Sequence, residues 1–254
     1  MSFIRKSDFS PLPKKRNSKL WRYIDFPKFE SLIQKKTLYF ASAKEFTDTF
    51  EGSITQPDQQ IWKQEMSKLQ LDQLHYISQK SIAFEKLRGL TKINCWHLSE
   101  HESDAMWKIY LQQEKGIALQ TTISRFFSAL KPYRLQPEYD DEIIWIGKVQ
   151  YLDYRKEPLP SSSMLDRFFC KKRSFAYESE VRAVISLRTA EEFGVRIPDE
   201  GIFVPVDCSR LIQRIYIAPG LEPNFYQKIK VLLEKNNLNN IPIEQSELDD
   251  KAVY

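Results

Sequence analysis

The stretch Thr91–Thr121, TKINCWHLSEHESDAMWKIYLQQEKGIALQT, holds a strand, a helix and a second strand in one pass. Thr91–Leu98 alternates, with Ile93, Cys95 and His97 on one face and Asn94, Trp96 and Leu98 on the other, which is the period of an extended chain. Ser103 offers a short hydroxyl that accepts from the first free amides of a helix, predicting a helix over Asp104–Gln113. Gly116 lets the chain leave that helix, and Ile117–Thr121 returns to strand character.

Working outward, Ser18–Ile24 (SKLWRYI) and Leu38–Ala41 (LYFA) read as strands on either side of a short helix carrying Phe29, Leu32 and Ile33. Leu38–Ala41 opens into an ordered loop, with Phe46 and Phe50 as its apolar anchors. From Pro57 to about Leu87 no glycine or internal proline interrupts the chain, and Ile61, Trp62, Met66, Leu69, Ile77 and Phe84 mostly follow a helical period. This predicts a helical insertion over about 57–88, stopped at Gly89. Beyond it, Ile143–Tyr151, Val181–Leu187, Gly201–Val206 and Ile215–Ala218 are rich in β-branched and aromatic residues and read as strands. Ser162–Ser174 and Phe225–Leu238 read as helices. Strands and helices do not strictly alternate, so the expected class is α+β, with a mixed, largely antiparallel central sheet.

Composition limits the possibilities further. The 254 residues are 42% hydrophobic, 28% charged and 13% aromatic with only 7 glycines, which excludes collagen-like, low-complexity and disordered classes. Cys95, Cys170 and Cys208 are odd in number and far apart, arguing against a disulfide framework and for a reducing, cytoplasmic compartment. The charged run Met1–Arg22 has no apolar core of a signal peptide, and no window of about 18 apolar residues occurs, so neither secretion nor membrane insertion is expected. Residues 1–22 hold a local charge of +6 while the remainder sums to −2. With Pro11 and Pro13 inside it, segment 1–19 reads as a basic extended arm, attractive to phosphate or an acidic partner, ahead of a single domain over 20–254.

The chain has no phosphate-cradling glycine loop and no nucleophile elbow, which argues against kinases, P-loop ATPases and ordinary α/β hydrolases. Cys95, His97 and His101 have a spacing that matches no common zinc pattern, and they read as a core thiol with polar neighbours; no metal is expected. More informative is Phe168–Ile185, FFCKKRSFAYESEVRAVI. On an extended chain Glu178, Glu180 and Arg182 share one face, either as the charged outer side of a half-buried strand with an internal Glu180–Arg182 pair or as a working pair of carboxylates. A second concentration is His97–Glu100 at a strand end, followed by Trp107 and Tyr110 on a helix, where they serve as core or as a stacking surface.

LWRYI, LYFASAKEFTDTFEG, CWHLSEHESDAMWKIYLQQEKGIAL, VQYLDY and FFCKKRSFAYESEVRAVI stand in the order found in a bacterial family called domain-of-unknown-function twenty-nine seventy-one, which the chain resembles over roughly residues 20–220. Asp48, Phe50 and Glu51 match that family's Asn-Asp-Pro-Phe-Glu block, with Thr47 and Thr49 in place of Asn and Pro. More distantly, the order Arg22, Ser99, Glu178-Ser179-Glu180 resembles mono-ADP-ribosyltransferases, which carry Arg, Ser and Glu-x-Glu on successive strands. That resemblance implies an ADP-ribosyltransferase-like fold and NAD as substrate. It implies Glu180 as the carboxylate beside the oxocarbenium-like ribose, Glu178 as its acid/base partner, Arg22 on the diphosphate, Ser99 on the ribose, and Trp107 or Tyr110 over a ring. The acceptor would be a nucleic acid or a protein. Such families are often found in toxin or phage-defence loci, which implies a neutralising antitoxin partner.

Two other readings stay open. The basic arm and aromatic content suit a non-enzymatic nucleic-acid-binding or partner-recognition module. A metal-dependent nuclease built on Asp48, Glu51, Glu178 and Glu180 would need those carboxylates around a divalent ion.

Overall fold

The computed structural model describes residues 3–68, 73–111, 115–161, 163–221 and 223–252, without the side chains of 73–78 and 223. In chain order the first half contains β1 (Ile4–Lys6), β2 (Lys19–Asp25), α1 (Phe26–Lys35), β3 (Thr37–Ser42), α2 (Gln56–Lys68), α3 (Gln73–Leu90), β4 (Thr91–Leu98), α4 (Asp104–Leu111), β5 (Gly116–Thr122) and α5 (Ile123–Ala129). The second half contains β6 (Ile144–Lys148), β7 (Gln150–Leu152), β8 (Cys170–Lys172), β9 (Glu180–Ser186), α6 (Arg188–Glu192), β10 (Gly201–Pro205), α7 (Cys208–Leu211), β11 (Arg214–Ile217), α8 (Pro223–Lys235) and β12 (Ile243–Gln245). The result is a mixed α+β chain with a mostly antiparallel open sheet. Among the described residues no helix is long and apolar enough to cross a membrane.

The chain forms two compact units. The first comprises Met1–Leu12, Phe40–Asn94 and Arg134–Ile202; the second comprises Pro13–Tyr39, Cys95–Tyr133 and Phe203–Tyr254.

In the first unit β1 runs parallel to β6, with Ile4 opposite Ile144, and β6 runs antiparallel to β9, with Trp145 opposite Val184 and Lys148 opposite Val181. The end of β3 pairs with the start of β4 through Ala41–Ile93 and Ser42–Lys92, and β7 lies parallel to β8. Part of the stretch expected as a basic arm is therefore strand: Ser7 donates from its amide to the Ile146 carbonyl, and Ser7 and Ser10 are buried. Gly147 makes that approach feasible, because a Cβ there would sit 2.8 Å from the Ser10 carbonyl oxygen.

The second unit is built on β2, paired antiparallel with β5 along its whole length, from Lys19–Thr122 to Asp25–Gly116. The end of β4 joins its other edge through Leu20–Leu98 and Trp21–His97, while β11 joins β5 and β12 lies parallel to β11. Asp25 caps α1 by accepting from the Lys28 amide at 2.8 Å, and Pro27 sits in the first turn, where a missing N–H costs nothing. Ser103 caps α4 as expected, its hydroxyl accepting from the Met106 amide. The core here is aromatic: Trp21, Tyr23, Met106, Trp107 and Tyr216 pack together, with Trp107 edge-on to Tyr23 at 4.9 Å.

Four expectations are corrected or fall short. Ser162–Ser174 is not a helix: it contains a 3₁₀ turn at Asp166–Phe169 and the strand β8. Phe168, Phe169 and Cys170 are buried in succession, which the one-sided stripe of a surface helix does not allow. The chain is not extended from Glu178 to Arg182, because Glu178 ends a 3₁₀ turn and Ser179 takes the left-handed conformation at φ 42° before β9 begins. Gly89 does not stop the insertion's second helix, which runs on to Leu90. Leu69 of the expected stripe, Gln113 at the expected end of α4 and Ser162 lie outside the described residues.

Candidate functional site

Both carboxylates of the YESEV stretch belong to the first unit and lie inside it. Glu180 is 3% exposed and Arg182 fully buried, so β9 is not the half-exposed strand with a charged outer face that alternation suggested. Nearly every residue of β9 is covered on either face, and the charges are balanced from within.

Arg182 is the hub. Its guanidinium forks onto Glu51 through Nη1 at 2.5 Å and Nη2 at 3.0 Å, donates from Nε to Glu180 at 2.6 Å, and donates from Nη1 to the Phe168 carbonyl at 2.6 Å. Planar two-point recognition of a carboxylate needs Arg. Lys171, on β8, donates to Glu178 and, at 3.0 Å, to the second oxygen of Glu180. Tyr151 accepts at its hydroxyl from the Glu180 amide at 2.8 Å and so fixes the start of β9. Glu51 is delivered by a turn that Asp48 closes, its carboxylate accepting from the Phe50 amide and its carbonyl from the Glu51 amide, each at 3.0 Å. Gly52, at φ 70°, then admits the Phe168 ring against the backbone, where a Cβ would lie 2.3 Å from that ring.

Three acids, Glu51, Glu178 and Glu180, thus share two cations. Burial pushes Glu178 up to about 8, and its hydrogen bond with Glu180 adds to the effect. Burial opposes the ionisation of Glu180 as well, but Arg182, the hydrogen bond from Glu178 and Lys171 together hold it well below the usual carboxylate range. Of the pair, Glu178 is therefore the member that holds its proton more tightly, and burial raises Glu51 as well against the pull of Arg182. The cluster is deepest at Arg182 and Glu51, at 0% and 1% exposure, and shallowest at Lys171 and Glu178, at 6% and 7%. Its centre is filled by cations, and among the described residues no group of three His, Cys, Asp or Glu is arranged to hold a metal ion.

The residues expected to hold NAD belong to the second unit. Arg22 on β2 donates from Nη1 to the Cys95 carbonyl at 2.8 Å and lies 5.9 Å from the Trp96 ring centre. Ser99 follows β4 and donates to the His101 carbonyl at 2.7 Å, while its own carbonyl accepts from the Trp21 indole. Trp107 and Tyr110 part company: Trp107 is 4% exposed with its indole N–H donated to Glu102 at 2.8 Å, whereas Tyr110 is 47% exposed. Three residues along a helix turn the side chain by about 60° net, enough to cross from the buried stripe to its rim.

Alternation along β9 exposed the Glu180–Arg182 pair in advance, and the structure contains it. The Arg182–Glu51 fork was not visible, since 131 residues separate the partners. No family model, no curated protein and no solved structure matches this chain.

Proposed function

We propose that this chain is a NAD-dependent mono-ADP-ribosyltransferase acting on a nucleic-acid or protein acceptor, with Glu180 as the ionised carboxylate beside the reacting ribose and Glu178 as its acid/base partner. One observation carries the reading: Lys171 bridges two adjacent carboxylates while Arg182 holds Glu180 as well, an arrangement that drives the proton affinities of Glu178 and Glu180 apart. Ribosyl transfer uses the charged member as it stands and the other member once it has lost its proton. The bond from the ribose anomeric carbon to the nicotinamide nitrogen breaks and nicotinamide leaves as the neutral base. The cationic sugar is steadied by a fixed negative charge, and the acceptor nucleophile attacks the same carbon and gives up its proton to a base. Glu178 takes that proton in its ionised form, so activity rises with pH through about 8. The shallow end of the cluster, Lys171 and Glu178, is the side from which a ribose comes, and Lys171 releases Glu180 as it enters.

A second reading is favoured by the fact that both Glu180 oxygens are engaged at rest, by Arg182 and by Lys171: the cluster is then a structural lock in a non-enzymatic recognition module. The deciding experiment uses the full chain, NAD labelled in the nicotinamide ring, and cell extract as acceptor source. Glu178→Gln is the informative variant, since its amide donates to Glu180 and its carbonyl accepts from Lys171, as the protonated acid does. Release of nicotinamide by the wild type, lost in Glu178→Gln at a Tm no lower than that of the wild type, is the expected result. Absence of release by the wild type, or full activity in Glu178→Gln, overturns the transferase reading.

A further inference from the structure

α2, α3 and the segment Thr49–Ile54 of the first unit line a half-open hollow of about 420 Å³. Two rings in its wall, Trp62 of α2 and Phe84 of α3, stack at 5.5 Å and 12°. Phe50 and Met66 extend the apolar part of the wall. Three cations, Lys63, Lys80 and Arg88, stand in the same lining with one carboxylate, Glu85, to which Arg88 donates from Nη1 at 3.0 Å. The Lys80 ammonium lies 3.6 Å from the Trp62 ring centre, and the Arg167 guanidinium lies 4.4 Å from that of Phe84. Arg167 is 4% exposed, and its Nε and Nη1 have no hydrogen-bond partner among the described residues.

A pair of helices closing on their own core leaves few voids larger than a water molecule. The volume is instead that of a small-molecule pocket. Each half of the chemistry narrows the ligand. An aliphatic molecule would have no use for three cations, and a bare inorganic anion would have none for the stacked rings. A flat ring joined to an anionic group uses both, through stacking and cation–π contact on one side and charge-assisted hydrogen bonds on the other. We infer that this hollow is a binding site for a mononucleotide, with the base taking the Trp62 face on which Lys80 rests and the phosphate held by Lys63 and the Lys80 ammonium that the base displaces. The site is separate from the Glu178–Glu180 chemistry and does not depend on the transferase reading.

The test is calorimetric titration of the full chain with AMP, GMP, CMP and UMP at low ionic strength, with the matching nucleosides, ribose 5-phosphate and inorganic phosphate as controls. Saturable binding of at least one nucleotide is expected, weakened about tenfold or more by removing either the base or the phosphate. Trp62→Ala should abolish it, and Lys63→Met/Lys80→Met should weaken it about tenfold or more at an unchanged Tm. The lysine variant keeps the question answerable if Trp62→Ala fails to fold. No binding of any of the four up to millimolar concentration overturns the proposal. So does binding that the lysine variant leaves intact, or inorganic phosphate binding as tightly as the nucleotides.

Discussion

Arg182→Met is the sharpest probe of the first unit. The substitution keeps an unbranched side chain of similar length but removes five donors from a site with no exposure. Glu51 loses its two-point partner, Glu180 keeps only Lys171 and Glu178, and the Phe168 carbonyl loses its Arg182 donor. Breaking a buried ion pair from one side costs about 3–5 kcal/mol, because the remaining charge stays desolvated. For a chain of this size each kcal/mol is worth roughly 2–4 °C, so a fall in Tm of roughly 6–20 °C is expected. Urea denaturation followed by circular dichroism at neutral pH measures the free energy, with thermal melts as the check. The double variant Arg182→Met/Glu51→Leu separates a desolvation cost from simple loss of packing. With the stranded carboxylate gone, it should be at least about 1 kcal/mol more stable than the sum of the two single variants implies. If Arg182→Met costs less than about 1 kcal/mol, or if the two substitutions add without coupling, the cluster is not the lock described here.

Stability should also depend on pH in a way that identifies the pair. Glu178 binds its proton more tightly folded than unfolded, so its contribution is complete below the unfolded value of 4.5 and is lost as pH rises toward about 8. Glu180 has the opposite sign: its contribution is present above 4.5 and lost as pH falls. Melts from pH 3 to 9 should therefore show this pair's contribution greatest at about pH 4.5–5, with the alkaline fall flattened in Glu178→Gln; an unchanged slope in that variant refutes the assignment. Gly147→Val should destabilise by about 1–3 kcal/mol and open residues 3–10 to protease, because the new side chain occupies the place of Ser10; an unchanged digestion pattern would show that β1 is not held as described. Trp107→Phe should cost about 1 kcal/mol through the Glu102 hydrogen bond, read by urea titration, and a neutral result would show that bond to be idle.

Local patterns carried the elements well where residue type or alternation marked them: Thr91–Leu98 and the Ser103 cap were legible because alternation and a capping hydroxyl are properties of neighbouring residues, and β9 was legible from its β-branched residues although nearly all of it is buried. The reading failed at Phe168–Cys170, since a short uniformly apolar run has no period from which helix and strand can be told apart. It failed again at Ser179, where a left-handed turn at a non-glycine residue left no mark in composition.

The carboxylate cluster shows why burial of charge is the hardest feature to read. Glu178, Glu180 and Arg182 in one short stretch look the same whether the strand faces water or the interior. The deciding partners come from elsewhere: Glu51 from the loop after β3, and Lys171 from β8. Only with those partners in place are three acids set against two bases and the proton affinities of Glu178 and Glu180 driven apart. A spacing of Glu-x-Glu is compatible with a surface, a lock or a catalytic pair. The cations around it determine its protonation, and protonation is what distinguishes a pair able to exchange a proton near neutral pH from two charges merely repelling each other.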